Sequence, residues 1–519
     1  MLFYILYIII IFLIWYLNRK TDFVSVFRST EKTSWLVAGL SMFMLFASTD
    51  SAQMYSGLIY EKGISGLWLL WVGMLSTAVV PIVFAPLWAK LDFITDNQFV
   101  LFRFSGKGAK VLHQFRALYV GGIVVAFSLS FQTIAFSRIL QIFFDISVKQ
   151  SLLVTGGLLS LFALKNSFAN KFKTDIFHAI IYFISVAVSF YFLSEYSGGL
   201  STAINDIRQS APDKLSLFPS SENKELLYAL FVYLGIQWWS TSLFDGGGPE
   251  MARYTAPGTR WGAIKVGLTP IVLNIMVILV LISMTLMSFV HLPPNQEGEL
   301  IMIEAIFKNV PNSLTPIILL GFFALFITTA ESVMNWGASF ITVDFYKGYI
   351  AKDKSKSHYK RFSFFVMLLL SVFSLVISFY IDSLESLIKI VFSISAGVAP
   401  VFILRWFWMR VNAWSQLAAM LSSGVYTLLF YLVQDYFQTF FEQSVLHAYE
   451  WRMIIVTVLT TITWIVVTFL TPKDDRITIE RFRKILPSTH EIIKSFAIAF
   501  LIGIIVLSTT VLLIILLVG

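Results

Sequence analysis

Between residues 495 and 518 the chain reads SFAIAFLIGIIVLSTTVLLIILLV, with no charged residue. As a helix rising about 1.5 Å per residue, about 20 such residues cross a hydrocarbon core of about 30 Å. In lipid every backbone N–H and C=O has to be satisfied by the protein itself, which leaves helices or closed barrels. Apolar runs of similar length recur along the whole chain, without the short alternating strands of a membrane barrel. The sequence is 57% hydrophobic and 13% charged, against roughly 45–50% and 25% for a soluble domain. It reads as an all-α integral membrane protein. There is no cysteine, so disulfides and thiolate metal sites are excluded.

Run lengths and breaks predict about 14 transmembrane helices. They lie near 2–18, 34–59, 65–89, 115–144, 150–165, 174–194, 225–247, 263–290, 312–346, 362–382, 386–408, 413–435, 452–471 and 494–518. Most Lys and Arg residues, Lys171 and Arg253 among them, fall in loops after odd-numbered spans. Loops after even-numbered spans hold only Lys62, Lys149, Arg208, Lys214, Lys224, Lys308 and Arg452. That alternation follows the positive-inside rule and places both termini outside a cytoplasmic membrane. It also accounts for the net charge of +8 without nucleic acid as a partner. Membrane lipid is the expected surrounding. In MLFYILYIIIIFLIWYLNRK the positive charge follows the apolar run, so a retained anchor fits better than a cleaved signal peptide. No linker divides the chain, and one membrane domain acting as a monomer is the economical reading.

Two spans break their own pattern. Span 2 holds FASTDSAQMYSG, Phe46 to Gly57, with hydroxyl and acidic groups at mid-membrane depth. Span 7 runs into QWWSTSLFDGGGPEMARY, Gln237 to Tyr254, where three glycines and a proline cannot continue a helix cheaply. Irregular backbone at depth is tolerated only against protein or a water-lined cavity. Interrupted helices at matching positions in two halves mark a transporter's binding site. Spans 2 and 7 would each open a five-helix repeat, spans 2–6 and 7–11. A plain interfacial turn is an equal reading for the glycines, and a less favoured one for Asp50, which apolar sequence flanks on both sides.

Span 9 places Thr328, Glu331 and Ser332 at i, i+3 and i+4, on one helix face with Thr329 beside them. Oxygen ligands without His or Cys suit a hard cation such as Na⁺. The alternative is a structural Glu bonded to neighbouring helices. Asp175 sits near the start of span 6, as a second polar group or as a helix N-cap. Arg138, near the far end of its span, is expected to snorkel. The sequence has no phosphate-binding loop, nucleophile elbow or HExxH, so neither an enzyme nor a bound cofactor is expected.

With these residues in place, the chain resembles the sodium:solute symporter family over roughly 30–480. TTAESVMNWGASFITVDFYKGYI, Thr328 to Ile350, is similar to the family signature. GGGPEMARYTA, Thr174–Asp175 and ASTDSAQMYSG support it, although His178 stands where the family usually has Gln. The resemblance implies a LeuT-type fold: two inverted five-helix repeats over 34–194 and 225–408, one extra N-terminal helix within 1–18 and three C-terminal helices over 413–519. It implies a principal Na⁺ site at Ala47, Asp50, Leu325, Thr328 and Thr329. It implies a second cation or proton site at Asp175, Glu331 and Ser332 with Thr328. Glu331 replaces a hydroxyl there, and is expected either to strengthen Na⁺ binding or to carry a proton.

Positions corresponding to the family's solute contacts include Met54 and Leu70, which disfavour a sugar. Asp50, Gln53, Trp238 and Trp239 suit an amine-bearing or zwitterionic solute through charge pairing and cation–π contact. The function these readings predict is Na⁺-coupled import of a small organic solute by alternating access. A transporter-like membrane sensor and a proton-coupled symporter are the alternatives.

Overall fold

The computed structural model describes residues 23–28, 32–163, 168–219, 224–240, 245–289, 297–381, 383–443 and 446–519. The expected first span, 2–18, lies outside them. Ser34 accepts a hydrogen bond from the Val37 amide and starts α1, Trp35–Phe46, satisfying one of the N–H groups that a helix start leaves without a partner. Ala47 turns to φ −73°, ψ 90° and stops α1. α2, Asp50–Lys62, resumes at an angle of 50°. The break in span 2 is therefore a real interruption, three residues long, between two helices bent by 50°.

α3, Ile64–Trp88, widens into a π-helical turn over Val80–Phe84, where Pro81 cannot donate to the ladder. α4, Gly106–Phe144, is 39 residues long, and α5, Val148–Ala163, only 16. α6 is Lys171–Tyr196. α7, Lys224–Gly235, is followed by one 3₁₀ turn at Gln237–Trp239. Span 7 thus stops well short of 247, and its interruption begins at Gly235 rather than at the glycine triplet. The triplet itself is a loop, with Gly246 at φ 74° and Gly248 at φ 108°.

α8 is Arg260–Ser288 and α9 Thr315–Ile350, the latter ending in a π-helical stretch from Phe340. α10, Lys356–Ser378, and α11, Leu384–Phe407, follow. The last three are α12, Ala413–Val433, α13, Ala448–Leu470, and α14, Thr489–Val518. Among the described residues, ten helices are long and apolar enough to cross a membrane, or eleven if α1 and α2 count as one bent span. α5 and α7 are shorter than that length.

The broken helix lies in the middle. α1 packs on α6, α8 and α9, and α2 reaches α4 and α8. α6 lies along α9, and α4 against both α9 and α10. At the α4–α9 crossing a β-carbon on Gly337 would lie 2.7 Å from the Gly121 carbonyl oxygen, so two glycines set how closely these helices meet. α12 and α13 pack on each other and on α11 at the periphery. Leu470 of α13 and Leu516 of α14 are 80% and 72% exposed, side chains that lipid rather than water would cover.

Candidate functional site

The end of α1 is chemically a cation-attracting group. The last carbonyls of a helix have no intrahelical donor and carry its partial negative charge. At this end Ala47 and Leu325 lie in one buried cluster with Phe43, Met44 and Tyr182. Thr328 and Thr329 are buried on the facing side of α9. Thr329 Oγ1 donates to the Leu45 carbonyl at 3.4 Å. Thr49 Oγ1 donates to the Phe322 carbonyl at the same distance. Two threonine hydroxyls therefore tie the break to α9. Of the expected residues, Ala47 and Leu325 share that cluster and Thr329 reaches the end of α1.

Thr328 also belongs to a second cluster, one turn further along α9. His178 Nδ1 is 2.7 Å from Thr328 Oγ1. Lys171 Nζ donates to the Thr328 carbonyl at 2.9 Å and to Glu331 Oε2 at 3.1 Å, and lies 3.0 Å from Asp175 Oδ1. On the other side of Asp175, Ser41 Oγ donates to Oδ2 at 2.5 Å. Arg253 Nη2 is 3.4 Å from that oxygen and donates to Ser332 Oγ at 3.0 Å, while Nε donates to Ser41 Oγ at 2.9 Å. Lys171, Asp175 and Arg253 are all buried. Two carboxylates are matched by two protein cations, as burial in low dielectric demands.

The face of α2 toward α4 carries the expected solute contacts. Asp50 accepts from Ser48 Oγ and from Gln132 Nε2, the latter at 3.1 Å. One turn on, Gln53 Nε2 donates to the Ala135 carbonyl at 2.6 Å. The side-chain oxygens of Gln53 and Gln132 are buried without a hydrogen-bond partner. Met54 is buried, and Leu70 packs against the same apolar cluster. Trp238 sets its ring 5.1 Å from Phe500 of α14, and Trp239 Nε1 donates to the Ala396 carbonyl of α11 at 3.1 Å. The two tryptophans thus serve contacts with α11 and α14, whereas Asp50 and Gln53 stand together with Gln132.

Beside the break, Ser48, Ser51, Tyr182, Ser185, Ser189 and Phe322 line a cavity of about 40 Å³. That is room for a water or a bare cation, not for an organic solute. Ion pairs close both ends of the helix set. At one end Arg138 pairs with Glu299, and Lys62 lies 3.1 Å from Glu385. At the other Arg116 lies 3.1 Å from Asp96, and Arg405 2.5 Å from Asp245. Arg138 thus has a carboxylate partner, where snorkelling to solvent was expected.

Residues 27–423 match the profile of the sodium:solute symporter family. The chain belongs to that family. Its fold is LeuT-type, all-helical and multi-spanning. A Na⁺-coupled sialic acid symporter, solved substrate-bound and outward-open and reported to reveal a novel Na⁺ site, is similar at a TM-score of 0.68. Identity is 15%, over 89% of this chain and 96% of that one. A nucleobase-cation-symport-1 family transporter, closed around bromovinylhydantoin, gives 0.49 at 12%, covering 89% and 98%. A manganese transporter mutant from Eremococcus coleocola gives 0.47 at 12%, covering 89% and 99%. No curated protein sequence matches the chain.

Within this sodium:solute symporter, the largest departure from sequence reading concerns Asp175. It is the fifth residue of α6, whose N-cap is Asn170, so the N-cap reading gives way to a buried ion-pair role. Lys171 and Arg253, read from sequence as loop charges, are the partners that make that role affordable. Lys171 was legible: it stands four residues before Asp175 and shares its face. Gln132 had no such signal, because only the packing of α4 on α2 brings it to Asp50.

Proposed function

We propose that this symporter couples entry of Na⁺ to import of a small organic solute by alternating access. Both termini would lie outside a cytoplasmic membrane, following the basic loops. The observation that carries the proposal is the Thr329 hydroxyl on the Leu45 carbonyl, across the break that ends α1. A Na⁺ entering between Ala47, Leu325, Thr328 and Thr329 would replace such hydroxyl–carbonyl bonds with ion–oxygen contacts. It would bind α1 to α9 and hold the break in one shape. The Asp50 backbone carbonyl is the fifth ligand in this reading. Losing the ion toward the cytoplasm would loosen α1 from α9 and release the solute.

The solute face favours hydrogen-bond donors. A carboxylate at Asp50 and the two unpartnered amide oxygens of Gln53 and Gln132 are acceptors, and an ammonium or amide N–H would satisfy them. Met54 and Leu70 give little for a polyol to bond. An amine-bearing or zwitterionic solute is the class this face fits. A thermal-shift screen of purified protein tests both parts. A primary amine or amino acid should raise Tm only with Na⁺ present. Stabilisation by sugars, or equal stabilisation with choline in place of Na⁺, would contradict the reading.

A further inference from the structure

The cluster around Asp175 is built as a cation cage. Its inward atoms are all oxygens: the Thr328 carbonyl, Asp175 Oδ1 and Glu331 Oε2. Such a set suits a hard cation. The cation it holds is the ammonium of Lys171, at 2.9, 3.0 and 3.1 Å from these three atoms. The contacts to Thr328 and Glu331 are hydrogen bonds of ordinary length, that to Asp175 is an ion pair, and Lys171 is only 2% exposed. With Arg253 on the far oxygen of Asp175, these four side chains carry two positive and two negative charges. A Na⁺ added here would place one further positive charge beside the buried Lys171 and Arg253 cations. Lys171 is also anchored one helical turn from Asp175, so unlike a free ion it cannot leave with the solute.

We propose that Lys171 is a built-in substitute for a second coupling ion. It fills the cage permanently, so this protein binds and carries a single Na⁺, at the α1 break alone. The inference rests on Na⁺ coupling at that break. It differs from a mere structural staple between α6 and α9 in what it predicts about stoichiometry. Removing the ammonium while keeping both carboxylates leaves an oxygen cage with one net negative charge, which should take up a Na⁺.

The test is equilibrium ²²Na⁺ binding to the purified full-length protein, with tight monodisperse elution as the folding control. Wild type should bind one Na⁺ per chain with a Hill coefficient near one. Lys171→Met should bind two, and Lys171→Met combined with Glu331→Gln should return to one, because the cage is then neutral again. Two Na⁺ in wild type, or one in a folded Lys171→Met variant, would overturn the proposal. If Lys171→Met does not fold, Lys171→Gln takes its place with the same expectation of two ions, and two ions in wild type refute the proposal whichever variant folds. No Na⁺ bound in wild type would instead refute Na⁺ coupling itself.

Discussion

Lys171 on α6 and Glu331 on α9 form an ion pair of 3.1 Å across the two helices that flank the α1 break. The Lys171 side chain is 2% exposed and that of Glu331 17%, so the pair is shielded from screening by salt. Breaking one partner of such a pair leaves the other charged and buried. Glu331→Gln is expected to lower stability by about 3 kcal/mol, the lower part of the range for buried pairs, because Asp175 and the Thr328 carbonyl still hold the ammonium. Thermal unfolding in detergent measures it. The double variant Lys171→Met/Glu331→Gln should lose less than the sum of the two single changes.

Arg405 and Asp245 make a second buried pair, at 2.5 Å, in which Trp406 Nε1 also donates to the carboxylate at 2.6 Å. Asp245 directly precedes the glycine triplet, so the pair fastens that loop to the end of α11. Arg405→Met is expected to lower stability by roughly 3–5 kcal/mol. The partial exchange Asp245→Asn in the same chain should recover part of that loss by removing the orphaned charge. Unfolding midpoints of the single and double variants measure this directly.

At Gly246 a β-carbon would sit 2.5 Å from Val80 Cγ1, at a φ of 74°. Gly246→Ala therefore adds strain of about 1–2 kcal/mol from the left-handed backbone alone, before any displacement of α3. At Gly424, inside α12, a β-carbon would meet nothing within 4 Å. Gly424→Ala should leave stability unchanged or raise it by up to about 1 kcal/mol, through helix propensity. Parallel melting curves of the two variants separate a conformational requirement from a general sensitivity to added methyl groups.

How much of this was legible in the sequence depends on the reach of each signal. Run length located the ten long helices among the described residues because a bilayer fixes the length of a crossing helix. The break at Ala47–Thr49 was legible because polar groups interrupt an apolar run on both sides. The i, i+3, i+4 rule grouped Thr328, Glu331 and Ser332 on α9. The same rule would have joined Lys171 to Asp175, but charge alternation had already assigned Lys171 to a loop and α6 begins three residues earlier than its apolar run. α4 was underestimated for a related reason: its first turns contain Lys107, Lys110 and Arg116 and carry no hydropathy signal. Arg253, Gln132 and Glu299 act across helices distant in sequence, and no local pattern reports that.

Outside the membrane, Asp475 caps the helix Arg476–Arg483 by accepting from the Thr478 amide at 2.7 Å. That bond, with the Thr478 hydroxyl next, holds its carboxyl below the usual Asp value of 3.8. A depressed folded value means the cap contributes fully above the usual Asp range and is lost as pH falls through the depressed value. Hydrogen exchange of the Thr478 amide should therefore accelerate, relative to the intrinsic rate, only below about pH 4. In Asp475→Ala the protection should be absent at every pH.

The account turns on the Thr329 hydroxyl facing the end of α1, and Na⁺-stimulated solute uptake into proteoliposomes by Thr329→Ala tests it most directly. Removing this oxygen while α9 stays intact should abolish the stimulation by Na⁺, and Thr329→Ser should retain it. Wild-type stimulation in a folded Thr329→Ala variant would contradict the placement of the coupling ion at the α1 break.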